Sequence, residues 1–268
     1  MSNHSPIGVF DSGVGGLTVV REIMRQMPSE SIVYFGDTAR VPYGNKSQNT
    51  VITYAKQIVK FLNTKNVKAI VVACNTATAF ALDYLQQESP IPILGVIKPG
   101  AKAAFESTKN KKIGVIGTEG TINTGIYTKY LTSIDRNIEV FPKACPLFVP
   151  LVEEGLLYDS VTVEIAERYF SELKGYGIDT LILGCTHYPL IRHTLQKVIG
   201  DKVSLINPAY ETAKSLKSVL EVHQLLSCQS QAVHQFFVSD SAERFKAFAN
   251  TILPCDVIKT VDINIEQY

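Results

Sequence analysis

Short apolar runs of strand length alternate with amphipathic segments along almost the whole chain. The apolar runs fall at 7–10, 31–36, 69–73, 92–96, 113–116, 138–141, 180–184, 203–206 and 235–238. The amphipathic segments between them include 17–27, 48–64, 124–132, 161–173 and 209–226. Strands that alternate with helices form βαβ units, and such units build open, mainly parallel sheets. The pattern therefore predicts an α/β fold.

Two of the apolar runs resemble each other, and each ends in a cysteine. Residues 67–76 read VKAIVVACNT and residues 178–186 read IDTLILGCT, which aligns Cys74 with Cys185. The run IGV at 7–9 is repeated in the same way at 113–115. Runs that are apolar throughout are typical of central strands covered by helices on both faces. The repeat predicts two pseudo-symmetric α/β domains, each with one thiol, and it favours chemistry carried out from two opposed sides.

Proline-marked stretches indicate where these domains meet. One lies at 89–100 and a second at Asn207-Pro208. We predict an N-terminal domain of residues 1–97 plus 207–268 and a middle domain of residues 98–206. Open α/β sheets bind ligands beyond the carboxyl ends of their strands. Five polar or reactive residues directly follow apolar runs, and we expect them to meet in a cleft between the domains: Asp11, Asp37, Cys74, Thr118 and Cys185.

Composition excludes several classes of protein. The formal charge of +1 argues against a nucleic-acid binder, and no basic cluster is larger than the short run at 109–112. No apolar stretch is long enough to cross a membrane, and the short polar segment 1–6 is not typical of a targeting signal. The five cysteines form no CxxC pair, so we expect neither a disulfide framework nor a metal site. Free thiols indicate a reducing compartment, which predicts a cytoplasmic protein.

A cysteine that follows a buried strand is most often an inert apolar residue. The repetition of Cys74 and Cys185, each beside polar residues, favours a chemical role instead. Only the thiolate is strongly basic, and an ordinary thiol is mostly protonated at neutral pH. His187 lies two residues after Cys185 and can tune its thiol or orient a carboxylate. The remaining cysteines lack such a context, and we interpret them as structural: Cys145, Cys228 and Cys255.

Other motifs allow both a structural and a functional interpretation. The turn DSGVGG at 11–16 can present backbone N–H groups to an anion, but it matches neither GxGxxG nor GxxxxGK[ST]. Pro42-Tyr43-Gly44 and the pair Thr118 and Thr121 are compatible with ordinary turns and helix caps. The acidic pair Glu153-Glu154 is typical of a solvated helix end.

The motifs taken together resemble those of the glutamate racemases of bacterial cell-wall synthesis, within the aspartate/glutamate racemase superfamily. The resemblance covers nearly the whole chain in order: GVFDSGVGGLTV, YFGDTARVPYG, VVACNTATA, GVIKPGA, IGTEGTI, CPLFVPLVEEG and LILGCTHYPL. It implies interconversion of L- and D-glutamate without a cofactor, supplying D-glutamate for peptidoglycan. One thiolate removes the α-proton while a thiol on the opposite face returns one. Cys74 resembles the base that acts on D-glutamate, and Cys185 the base that acts on L-glutamate.

The resemblance also implies roles for the residues around the thiols. Asp11, Glu153 and His187 are similar to the groups that assist them, although the sequence does not separate Glu153 from Glu154. Residues matching the family's substrate contacts are Asp11, Ser12, Pro42, Tyr43, Gly44, Asn75, Thr76, Thr118, Thr121, Thr186 and His187. A homodimer is also implied. Because Asp11 lies close to the first residue, we expect no activation through an N-terminal extension.

Three alternatives remain open at this point. The chain can be a racemase for aspartate or another amino acid, since the wider superfamily shares both cysteines. A Cys-His hydrolase with Cys185 as nucleophile is a second alternative, but it leaves Cys74 without a role. A regulatory module that binds a partner protein is the third, although no surface feature of the sequence identifies such a partner.

Overall fold

Within residues 2–268, which the computed structural model describes, ten strands form two parallel sheets. The strands are β1 (Ile7–Asp11), β2 (Ile32–Gly36), β3 (Ala69–Val72), β4 (Ile93–Gly95), β5 (Lys112–Gly117), β6 (Glu139–Ala144), β7 (Thr180–Gly184), β8 (Ser204–Ile206), β9 (His234–Val238) and β10 (Thr260–Asp262). In six of them, β1, β2, β3, β5, β9 and β10, at least half of the residues are β-branched or aromatic, types that fit a pleated surface.

Helices connect the strands and cover both faces of the sheets. They are α1 (Leu17–Gln26), α2 (Gln48–Asn63), α3 (Asn75–Glu88), α4 (Ile97–Ser107), α5 (Glu119–Asn123), α6 (Ile126–Ile134), α7 (Phe148–Glu153), α8 (Ser160–Gly175), α9 (Arg192–Ile199), α10 (Pro208–Val222) and α11 (Ala242–Ile252). Among residues 2–268, none of the helices is long and apolar enough to cross a membrane.

The two sheets share one strand order. The six-stranded sheet runs β10-β9-β2-β1-β3-β4 and the four-stranded sheet runs β6-β5-β7-β8. The order β2-β1-β3-β4 is thus repeated by β6-β5-β7-β8, and all pairs are parallel. This arrangement confirms the predicted α/β class with parallel sheets. It also places β3 and β7, the strands that precede the two cysteines, at equivalent positions.

The strands of each sheet come from the segments that the proline-marked boundaries predict. The six-stranded sheet uses strands between residues 7 and 95 and between 234 and 262, and the four-stranded sheet uses strands between 112 and 206. The division into domains 1–97 plus 207–268 and 98–206 stays a proposal, which this strand membership supports.

Alternating side chains of the central strands pack into separate cores on the two faces of each sheet. In β1, Ile7 and Val9 pack with α1, α10 and α11, whereas Phe10 packs on the opposite face with α2 and α3. Helices on both faces of β5 and β7 enclose two further cores. Burial on both faces explains why these strands are apolar throughout.

The structure corrects the sequence predictions at the end of the chain. The helix predicted for 209–226 ends at Val222, and Gln224 has a positive φ of 55° that the right-handed helix does not allow. The strand Thr260–Asp262 was missed. At the edge of the sheet Thr260 and Val261 are only partly buried and Asp262 is exposed, so the strand shows no continuous apolar run.

Candidate active site

The carboxyl ends of the strands from both sheets border one cleft. A small cavity lies there. It is lined by Ser12, Val41, Pro42, Tyr43, Gly44, Cys74, Asn75, Thr76, Thr118, Val149, Gly184, Cys185, Thr186 and His187. Both aligned cysteines therefore face the same space, one contributed from each sheet.

Cys74 lies between β3 and α3 and caps the amino end of that helix. Its Sγ accepts the backbone N–H of Ala77 at 3.4 Å, and its thiol donates to Ser12 Oγ at 3.7 Å. The side chain is only 6% exposed. Burial, together with the nearby Asp11 carboxylate, raises the pKa of Cys74 to about 12 despite those two contacts. In this state Cys74 is therefore the protonated thiol.

Cys185 follows β7 and contacts a buried histidine. Its Sγ lies 3.8 Å from His187 Nδ1, and His187 Nε2 lies 2.9 Å from Glu153 Oε1 at the end of α7. Burial disfavours the charged imidazole, but the contacts with Cys185 and Glu153 outweigh it and raise the pKa of His187 to about 10. His187 is thus an imidazolium at neutral pH, and it places a positive charge and a donor beside the second sulfur.

The geometry separates the two adjacent acidic residues. The hydrogen bond and the charge of His187 lower the pKa of Glu153 below its usual range, even though partial burial opposes this. Glu154 instead lies 3.5 Å from Arg244 in an exposed pair, and its side chain is 70% exposed. Of the two, only Glu153 contacts the histidine of the site.

Asp11 lies at the carboxyl end of β1 and is fully buried. It accepts the N–H of Gly13 at 3.1 Å and the hydroxyl of Thr186 at 3.3 Å. Burial raises the pKa of Asp11, and the positive charge of His187 opposes that rise. This carboxyl group connects the glycine-rich turn of one sheet to the Cys185–His187 segment of the other.

The glycine-rich turn has little space for side chains. A Cβ at Gly15 would lie 2.3 Å from Thr186 Oγ1 and 2.5 Å from His187 Nδ1. A Cβ at Gly16 would lie 2.4 Å from the Cβ of Asp11. Gly15 therefore allows the turn to pack directly against Thr186 and His187 of the second sheet, and Gly16 allows it to pack against Asp11.

Three threonine hydroxyls form a cluster across the cleft. Thr76 Oγ1 lies 2.8 Å from Thr118 Oγ1 and 3.2 Å from Thr121 Oγ1. Nearby, Asn75 Oδ1 accepts the hydroxyl of Tyr127 at 2.8 Å. Hydroxyls and amides at the amino ends of helices are suited to binding carboxylates. The cluster thus supplies anion-binding groups from both sheets.

The loop that carries Pro42, Tyr43 and Gly44 also lines the cavity. The Tyr43 hydroxyl donates to the buried carboxylate of Asp37, which also accepts from Arg40 at 2.8 Å and from Ser239 Oγ at 2.8 Å. A Cβ at Gly44 would lie 2.7 Å from the Cβ of Thr118, so glycine allows the close approach. Asp37 therefore supports the loop from behind and does not line the cavity.

The structure brings the sequence-predicted site residues together in two layers. Ser12, Pro42, Tyr43, Gly44, Cys74, Asn75, Thr76, Thr118, Cys185, Thr186 and His187 line the cavity. Asp11, Thr121 and Glu153 lie behind it, each hydrogen-bonded to a lining residue. The sequence analysis missed Val41, Val149 and Gly184, although all three stand inside the motifs quoted above.

The donor set is suited to acid–base chemistry. Two thiols, a buried imidazolium and two carboxylates can move protons and stabilise developing negative charge. Among residues 2–268, no group of three or more His, Cys, Asp or Glu side chains is placed to hold a metal ion.

Comparisons with known proteins agree with this chemistry. The family model for Asp/Glu/Hydantoin racemases matches residues 7–216. A glutamate racemase from Oceanobacillus iheyensis is 50% identical over 250 residues, which cover 92% of this chain and 90% of that relative. A glutamate racemase crystal structure from Bacillus anthracis has a TM-score of 0.94 at 44% identity, covering 97% of both chains. A structure from Francisella tularensis, in complex with D-glutamate, has a TM-score of 0.93 at 38% identity and covers 99% of this chain and 100% of that one.

Proposed function

This chain belongs to the Asp/Glu/Hydantoin racemase family, and we propose that it interconverts L- and D-glutamate by proton transfer between Cys74, Cys185 and the α-carbon. One observation carries the mechanism. The two thiols follow equivalent strands of sheets with the same strand order, and both line one cavity. Two acid–base groups contributed from two sheets suit a substrate whose α-carbon must lose a proton on one face and gain one on the other.

The reaction balances with one thiolate and one thiol. The thiolate of Cys185 takes the α-proton of L-glutamate, and the thiol of Cys74 donates its proton to the opposite face. The sulfurs have then exchanged protonation states, so the D-to-L reaction runs from the other side. Cys74 starts as the thiol because burial and Asp11 raise its pKa to about 12. His187 supplies positive charge beside Cys185, and Glu153 holds that imidazolium.

The surrounding polar groups suit the charges of glutamate. Asn75, Thr76 and Thr118 line the cavity with amide and hydroxyl groups that can bind the carboxylates. Donors held close to the α-carboxylate also stabilise the negative charge that develops there when the proton leaves. Ser12 lines the cavity beside Cys74, where its hydroxyl can contact the substrate ammonium, and the Asp11 carboxyl group lies behind it.

We extend the proposal to the cellular role. D-glutamate supply for peptidoglycan follows from the family resemblance, and so does a homodimer. A cytoplasmic location is supported by the five cysteines, all of which are free in the structure. Aspartate is the less favoured substrate because the similar relatives named above are glutamate racemases.

The test is racemisation in deuterated water. We expect the product enantiomer to carry deuterium at its α-carbon, and we expect D-glutamate to turn over faster than D-aspartate. Cys74→Ser and Cys185→Ser should each nearly abolish turnover while circular dichroism stays unchanged. Cys145→Ser is the matched control, since Cys145 is fully buried near the same sheet but does not line the cavity.

Each alternative gives a different result. Faster aspartate turnover would refute glutamate as the substrate. Release of hydrolytic fragments without deuterium at the α-carbon would support a hydrolase. Near-normal racemisation by either cysteine variant would rule out the two-base mechanism.

A further inference from the structure

One hydroxyl in the first helix reaches the catalytic segment of the other sheet. Thr18 lies in α1, is fully buried, and donates from Oγ1 to the carbonyl oxygen of Thr186 at 3.0 Å. Thr186 stands between Cys185 and His187, so this bond holds the backbone that carries both. The two partners are 168 residues apart in sequence.

The hydroxyl proton of Thr18 is available for this contact. Its Oγ1 also lies 2.9 Å from the Gly15 carbonyl oxygen, but that oxygen already accepts the Thr18 backbone N–H at 3.0 Å. A carbonyl that already has a donor gains less from a second one, whereas a buried carbonyl without any donor carries a desolvation cost. The Thr186 carbonyl therefore benefits more from the proton.

The carbonyls on either side of Thr186 are bonded within their own segment. The Cys185 oxygen accepts from the Tyr188 amide at 3.1 Å, and the His187 oxygen accepts from the Leu190 amide at 3.0 Å. The Thr186 carbonyl instead points across to α1. Together with the close packing of Gly15 on Thr186 and His187, this bond fixes the segment relative to the sheet that carries Cys74.

We propose that Thr18 is a positioning residue that sets Cys185 and His187 against the substrate through the Thr186 backbone. This inference rests on the proposed racemase function. It predicts an effect that depends on the direction of the reaction, because Thr18 supports only one of the two sulfurs. Enantiomers have equal free energy, so a substitution at Thr18 must lower kcat/KM equally in both directions of the reaction. The difference between the two directions must therefore appear in the kinetic isotope effects.

Substrates deuterated at the α-carbon reveal which proton transfer limits the rate. In the L-to-D direction Cys185 removes the deuteron, so a misplaced Cys185 makes this step slower and raises the isotope effect on kcat/KM. In the D-to-L direction Cys74 removes the deuteron and Cys185 only returns a proton afterwards. In the Thr18 variant the return of a proton by Cys185 then limits the rate more strongly than removal of the deuteron does, so the isotope effect on kcat/KM falls.

The experiment compares Thr18→Val with the unmodified protein and a matched control. Valine keeps the shape of the side chain and removes the donor. We expect kcat/KM to fall about tenfold, as loss of one buried hydrogen bond implies. Thr212→Val is the control, because Thr212 is equally buried and donates to the Pro208 carbonyl at 2.7 Å within α10, and neither residue lines the cavity. It should leave both isotope effects unchanged.

Thr18→Ser keeps the hydroxyl and should retain the isotope effects of the unmodified protein. Thr18→Ala replaces the valine variant if the latter does not fold. The proposal is refuted if the valine or alanine variant shows the same isotope effects as Thr212→Val, or if the two effects shift in the reverse sense. The proposed function fails separately, if the unmodified protein does not racemise glutamate.

Discussion

Glu153→Gln tests whether Glu153 keeps His187, the neighbour of the Cys185 thiol, positively charged. Glutamine keeps the length of the side chain and an oxygen that can accept from His187 Nε2, but it removes the negative charge. In the structure this oxygen lies 2.9 Å from the ring nitrogen. Burial lowers the pKa of His187, and the contact with Cys185 and the hydrogen bond to Glu153 raise it. A glutamine at position 153 weakens that hydrogen bond, so the variant should lower the pKa of His187.

The size of the decrease follows from the contact. A hydrogen bond to a charged group contributes about 1.5–3 kcal/mol, and one pKa unit corresponds to about 1.4 kcal/mol. The full effect would therefore be roughly one to two units. The Glu153 side chain is 27% exposed, so solvent screens part of its charge, and we expect the lower end of that range.

Two measurements report the change. NMR titration of labelled histidine follows His187 directly, with His187→Asn used to assign its signal among the five histidines. The pH profile of kcat/KM reports essential groups of the free enzyme. The imidazolium exists mainly below its pKa, so kcat/KM falls as the pH rises through that pKa. In Glu153→Gln this alkaline decrease should begin at a lower pH than in the unmodified protein. Titration of the substrate ammonium is common to all variants and does not affect the comparison.

Glu154→Gln is the control for this prediction. Its carboxylate is the neighbouring acid but pairs with Arg244 at 3.5 Å and does not contact His187. The reasoning is wrong if His187 titrates at the same pH in Glu153→Gln as in the unmodified protein, or if both variants move it equally.

Two further predictions concern the close packing at Gly15 and the buried ion pair between Lys68 and Glu30. Gly15→Ala should reduce kcat about a hundredfold, because its Cβ would lie 2.3 Å from Thr186 Oγ1 and the segment that carries Cys185 and His187 must move. Turnover assays should show near-normal activity for Gly175→Ala, where a Cβ meets nothing within 4 Å, and equal activity of both variants would contradict the reasoning. Lys68→Met should lower the free energy of unfolding by about 3–5 kcal/mol, because it leaves Glu30, its buried partner at 2.5 Å, without its counter-charge. Urea titration measures the free energy of unfolding. The control is Lys56→Met, at an exposed ion pair with Glu88, which should lower that free energy by less than about 1 kcal/mol. Similar losses in the two variants would disprove the argument.

The fold class could be predicted from sequence because burial on both faces imposes a continuous apolar pattern on central strands. The runs before Cys74 and Cys185 show that pattern, and the sheets that they form have one strand order. The edge strand Thr260–Asp262 could not be predicted in the same way, since an edge position buries little of each side chain.

The hydrogen-bond partners within the site could not be read from sequence. Glu153 and Glu154 are neighbours in the chain, and only the orientation of α7 directs the first toward His187 and the second toward Arg244. No motif around Thr18 indicates that its hydroxyl donates to the Thr186 carbonyl oxygen, which lies 168 residues away in the chain.

By itself, the sequence determined that two thiols follow two similar buried strands, because local apolar periodicity and chain order are written directly into it. Only the tertiary structure decided that both thiols line one cavity and which groups set their charge. Those relations join residues far apart in the chain, such as Asp11 with Thr186 and Thr76 with Thr118. They depend on how the two sheets pack, and no local pattern of residues encodes that packing.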